Sequence, residues 1–125
     1  MQCILETETF SRSAKVIGLS EDDRYAIATR IAENPTIGDL IKGTGGARKV
    51  RFPIQGRGKS SGYRVVTYYA GEDVPVFLLD VYSKGEKIDL TQAERNELRD
   101  ILGGIAEDYR AAMQSRVSRI SEKAR

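Results

Sequence analysis

The chain of 125 residues has no histidine and only one cysteine. Without histidine there is no Ser-His-Asp triad, and the commonest general base and zinc ligand are both gone. With one thiol as well, a structural zinc site and an internal disulfide are excluded, and a reducing compartment fits. Cys3 reads as a small apolar residue of a first strand. No apolar run reaches the roughly 18–20 residues of a membrane span. Residues 1–10 hold two glutamates and no basic residue, unlike a secretory signal. The expected location is therefore the cytoplasm, with no membrane partner. Any catalysis must draw on Lys, Arg, Tyr, Asp, Glu or Ser.

A second absence is local. From Leu40 to Gly71 there is no acidic residue, yet the window holds seven basic ones: Lys42, Arg48, Lys49, Arg51, Arg57, Lys59 and Arg64. It also holds seven of the twelve glycines. The net charge is only +2, because acids outnumber bases on both flanks. Such a patch attracts polyphosphate, and its footprint matters more than the net charge. The length favours one domain spanning 1–125, with 104–125 as a C-terminal helical extension.

The patterning gives a coarse order β-α-α-β-β-β-α. Residues 3–5 read as a first strand and 9–17 as a short amphipathic helix. Ser20 followed by Glu21, Asp22 and Asp23 is a helix start with a serine cap. Asn34-Pro35 ends that helix, because the residue before proline is driven from helical conformation. Residues 36–41 read as a turn or short helical piece. Strands are expected over 48–52, 63–70 and 74–82, the last apolar enough to be covered on both faces. Thr91 and Glu94 form a capping box, and Gly103-Gly104 is expected to kink or split the helix that follows. The expected class is α+β: an antiparallel sheet of about four strands, two N-terminal helices packed on it, and a long C-terminal helix.

Residues 43–49 lack the spacing and the following helix of a nucleotide phosphate loop. Lys49 and Arg51 are two apart on a strand and share a face, and Arg64 lies across the hairpin. Cations so placed could grip adjacent phosphates, with arginine holding two oxygens. The bland alternative is a solvated face. Lys42, Arg57 and Lys59 fall on loops; Tyr82, Lys84 and Lys87 cluster where the last strand ends. Tyrosines here could stack on bases or simply pack with their hydroxyls outward. The alternating charges of the last helix read as a solvated surface rather than a carboxylate site.

Three strings, IKGTGGARKVRF at 41–52, GRGKSSGYRVVTYY at 56–69 and VFLLDVYSKGEKIDLTQAERNEL at 76–98, resemble the RelE/ParE toxin superfamily, most of all its HigB-like RelE-type branch. The resemblance covers roughly residues 1–103. It implies the toxin of a type II toxin–antitoxin module, an endoribonuclease that cuts mRNA in the ribosomal A site without metal or cofactor. The 2′-hydroxyl would attack the neighbouring phosphate. The family pattern maps catalytic roles onto Lys49, Arg51, Arg64 and Lys84. RNA contacts would fall to Lys42, Arg48, Arg57, Lys59, Lys87 and Tyr82. Arg51 and Arg64 would clamp the phosphate; Lys49 or Lys84 would take the 2′-hydroxyl proton. Some members place a tyrosine just after the last strand; residues 87–91 have none, which leaves Tyr82 or a lysine for that place. The implied partners are a helix-turn-helix antitoxin, the ribosome and mRNA, and operator DNA through the antitoxin complex. Two alternatives share this scaffold: a ParE-like DNA gyrase inhibitor, and a non-catalytic nucleic-acid-binding module.

Overall fold

The computed structural model describes residues 2–53, 62–83 and 90–123. The element order is β1 (Ile4–Glu6), α1 (Glu8–Ile17), α2 (Glu21–Glu33), β2 (Asp39–Leu40), β3 (Ala47–Pro53), β4 (Gly62–Tyr68), β5 (Val76–Ser83) and α3 (Gln92–Lys123). The class is α+β, as expected. Each helix start has a local cause. The Thr7 side chain accepts from the Phe10 N–H and donates to the Leu78 carbonyl, capping α1 and tying it to β5. Ser20 and Asp23 form a reciprocal capping box on α2. Thr91 and Glu94 do the same for α3.

The five strands form one sheet in the order β1-β5-β4-β3-β2. Two expectations need correction here. The sheet is mixed rather than antiparallel, because β1 runs parallel to β5, with the Val76 N–H bonded to the Cys3 carbonyl at 2.8 Å. Of the turn or helical piece expected after Pro35, the turn is present, closed by the Ile37 N–H on the Asn34 carbonyl at 3.0 Å, but no helical piece follows: Asp39 and Leu40 add a short edge strand to β3. Cys3 is exposed and does not pack as a core residue.

One face of the sheet carries α1 and α2. Phe10, Ala14, Ile27 and Ile31 meet Val50, Phe52, Val65, Val76, Leu78 and Val81 in a single core. Each fully buried Leu, Ile or Phe contributes about 1.5–3 kcal/mol, so this layer is the main source of stability. The other face carries α3, where Ala106 and Tyr109 pack on Phe77, and Tyr68 stacks against the same ring.

A bulge in β5 reconciles the two faces. Val66 opposes Asp80 and Thr67 opposes Leu78, which leaves Leu79 as the extra residue. Residues five apart would normally point to opposite faces. The extra residue puts both Phe77 and Tyr82 on the α3 face.

α3 runs unbroken for 32 residues, about 48 Å at 1.5 Å per residue. The Gly103-Gly104 pair does not split it. A Cβ at Gly103 would meet nothing within 4 Å, and one at Gly104 would make only an ordinary contact. Buried Leu102 and Ala106 anchor the helix on either side of the pair.

Candidate functional site

The basic residues sit where strand pairing is regular. Arg51 stands directly opposite Arg64, and Arg64 opposite Tyr82, so the three form one row across β3, β4 and β5. The next row reads Asp39, Lys49, Val66 and Asp80. Both rows lie on the α3 face, because Val50, Phe52 and Val65 fill the opposite one. Tyr82 faces α3, whereas Arg51 is exposed and Arg64 half-buried. Where it meets β3, β4 and their flanking turns, α3 lies beside Gly43 and Gly45, through Arg95 and Arg99, beside Gly71, through Arg110, and against the cluster that holds Tyr68. Those contacts lie at the far end of β3 and β4 from Arg51 and Arg64.

Lys49, Arg51 and Arg64 line one groove of about 400 Å³, with Arg30, Ile37, Gly38, Asp39 and Val50. The groove forms where β2 stops after two residues and leaves the edge of β3 open. Gly38 sets its wall. Its φ is 97°, and a Cβ there would lie 2.6 Å from the Lys49 carbonyl oxygen. Only glycine lets the chain approach β3 this closely.

Two cations elsewhere show what a matched pair looks like. Arg24 grips both carboxylate oxygens of Glu6 at 3.0 and 2.8 Å, which raises its pKa. Arg110 grips Asp73 in the same bidentate way, and that hydrogen bond holds the Asp73 carboxyl below its ordinary range. By contrast, Lys49, Arg51 and Arg64 have no carboxylate within 4.0 Å among the described residues. Two arginines directly opposed across a strand pair repel each other and weaken the sheet. Cations so placed, with no ion pair among the described residues, make a favourable setting for an anion.

The remaining sequence candidates separate. Arg48 alternates to the other face of β3, where its guanidinium donates to the Gly38 carbonyl at 3.1 Å and holds the turn before β2. Lys42 is exposed on the loop between β2 and β3. Tyr82 adjoins Arg64 but lines a different cavity, an apolar cleft of about 470 Å³ between the sheet and α3. Arg57, Lys59, Lys84 and Lys87 lie outside the described residues.

Two groove residues escaped the sequence reading. Arg30 sits on α2, outside the acid-free window, and its guanidinium lies 5.4 Å from the centroid of the Phe52 ring. That cation–π contact holds a fourth positive charge at the β3 edge. Asp39 stands opposite Lys49 and is the one carboxylate among the groove's lining residues. No spacing signal marks either residue, since tertiary packing brings both to the edge.

The groove thus offers four cations and one carboxylate on a rigid strand edge, which suits binding and positioning of adjacent phosphates. The family model described as the RelE toxin of the RelE / RelB toxin–antitoxin system matches residues 2–124, and the chain belongs to that family, as the toxin half of a toxin–antitoxin pair.

Proposed function

We propose that this toxin is a ribosome-dependent mRNA endonuclease, and that the groove at the β3 edge is its active site. The observation that carries this reading is the row of Arg51 and Arg64, opposed in register and without an ion-pair partner among the described residues. Arg51 and Arg64 bind the scissile phosphate and stabilise the charge that develops as the 2′-hydroxyl attacks. Lys49, one row along on the same face, holds the neighbouring phosphate or takes part in proton transfer. Asp39, opposite Lys49 in the same groove, is a further candidate for proton acceptor. Lys84 stays in the proposal from the family pattern alone, and no metal is required. The antitoxin, carrying a helix-turn-helix, restrains the enzyme and takes the pair to its operator.

Inducing the toxin without antitoxin should arrest translation, with primer extension showing cuts within codons. Arg64→Ala should lower cleavage by about 10²–10³-fold, the usual effect of losing one transition-state donor. Growth arrest with intact mRNA and a DNA-damage response would instead support gyrase inhibition. Salt-dependent RNA binding without cleavage would reduce the protein to a binding module.

A further inference from the structure

The face of α3 that packs on the sheet does not end where the sheet ends. Its apolar stripe runs Leu102, Ala106, Tyr109, Met113, Val117 and Ile120, at steps of three and four residues. Leu102 and Ala106 are buried, and Tyr109 meets the Phe77 ring edge-on at 6.1 Å between centroids. Arg110, clamped to Asp73 between β4 and β5, is the last α3 residue bonded to the body among those described. Beyond it the stripe is bare: Met113 is 38% exposed, Val117 57% and Ile120 67%.

The charge changes at the same point. Residues 92–108 of α3 carry five acids (Glu94, Glu97, Asp100, Glu107, Asp108) against Arg95 and Arg99. From Tyr109 to Ser121 there is no acid, while Arg110, Arg116 and Arg119 are present. Arg116, Arg119 and Lys123 border the bare stripe and share a shallow groove with Met113, Val117 and Ile120.

Helices of this length draw most of their stability from packing an apolar face, and this half of α3 has nothing to pack on within the described chain. Its chemistry selects the occupant. A second copy would bring Arg116 and Arg119 against their own counterparts, and the repulsion opposes pairing. RNA would neutralise the arginines but leave Met113, Val117 and Ile120 in water. An amphipathic helix with an apolar seam and acidic flanks answers both needs at once.

We propose that residues 113–123 of α3 form a docking surface for such an acid-flanked helix, supplied by the antitoxin. This rests on the toxin–antitoxin assignment and not on RNA cleavage. The test uses the full-length toxin and the antitoxin encoded beside it, with affinity measured by calorimetry. Val117→Ser/Ile120→Ser and Arg116→Glu/Arg119→Glu should each weaken antitoxin binding at least tenfold. Raising the salt should shrink the effect of the charge reversal and leave that of the serine pair. Helical content by circular dichroism and the growth arrest caused by free toxin should stay as in the wild type, whether that arrest comes from cleavage or not. Antitoxin affinity within twofold of wild type in both variants overturns the proposal. So does a toxin dimer that the serine pair dissolves while antitoxin affinity is unchanged, which would identify a second copy as the occupant. Loss of ribosome association with unchanged antitoxin affinity would identify RNA instead, and overturns it equally.

Discussion

Replacing Arg64 with glutamine should make the toxin more stable and less active. The substitution keeps most of the side-chain stem and the polar tip but removes one of two opposed charges. Arg51 is exposed and Arg64 half-buried, so their repulsion is felt largely through water. Two unit charges about 8 Å apart in water repel by about 0.5 kcal/mol, and physiological salt screens this by about threefold. Lys49 adds a second, more distant repulsion on the same face. The gain is therefore about 0.2–0.8 kcal/mol, within the usual range for cross-strand pairs. For a chain of this size that is a rise of about 1–3 °C in Tm. Melts followed by circular dichroism should show the rise at low salt and lose it near 1 M salt, where the screening length is about 3 Å. Ribosome-dependent cleavage by the same variant should fall about 10²–10³-fold. A Tm lowered by several degrees would make Arg64 a structural residue, and undiminished cleavage would remove it from the active site.

Gly38→Ala forces a side chain onto the Lys49 carbonyl at a positive φ, so it should cost about 1–3 kcal/mol in urea unfolding and depress cleavage by displacing Lys49. Thr44 is fully buried; its hydroxyl donates to the Ile41 carbonyl at 2.7 Å and accepts from the Ala47 N–H at 3.1 Å. Thr44→Val should cost about 1–3 kcal/mol by leaving both groups unmatched, with thermal melts as the readout. Arg30→Gln should weaken binding of an mRNA fragment and reduce its salt dependence by about one unit of slope or less, with little change in fold stability. Asp73, held by Arg110 below its ordinary value of 3.8, stabilises the fold above that value, and the contribution is lost as pH falls through the lowered one. Asp73→Asn should therefore be the less stable form at neutral pH, and its deficit should close under strong acid.

What was legible in the sequence follows the range of the interactions involved. Ser20 with Asp23, and Thr91 with Glu94, announce helix starts because capping is settled within four residues. The pairing of β3 with β4 follows from two alternating runs joined by a glycine-rich connection, and it carries Arg51 and Arg64 to opposite positions. The parallel pairing of β1 with β5 joins residues more than 70 apart, and nothing within either strand specifies its partner. β2 is two exposed residues, too few for any period; the open edge of β3 makes it a strand. Gly103-Gly104 misled because glycine lowers helix propensity by only about 1 kcal/mol per residue, less than the anchoring of Leu102 and Ala106 restores. Arg30 could not be found from the acid-free window, since α2 delivers it from outside through the contact with Phe52.

The position of β5 has a consequence for how the protein is made. Among the described strands it comes last in sequence and second in the sheet, flanked by the first strand on one side and the arginine-bearing hairpin on the other. Until Val76 to Ser83 are available, β1 has no neighbour and the core around Phe10 and Ile31 lacks Val76, Leu78 and Val81. A nascent chain stopped before Val76 can form the β3–β4 hairpin but cannot close the layer that holds it flat, and an isolated hairpin is marginal in water. Such a chain should show no protected amides in hydrogen exchange and should not arrest growth. Toxicity thus waits until Val76 to Ser83 have been made and have left the ribosome, a safeguard written into strand order alone.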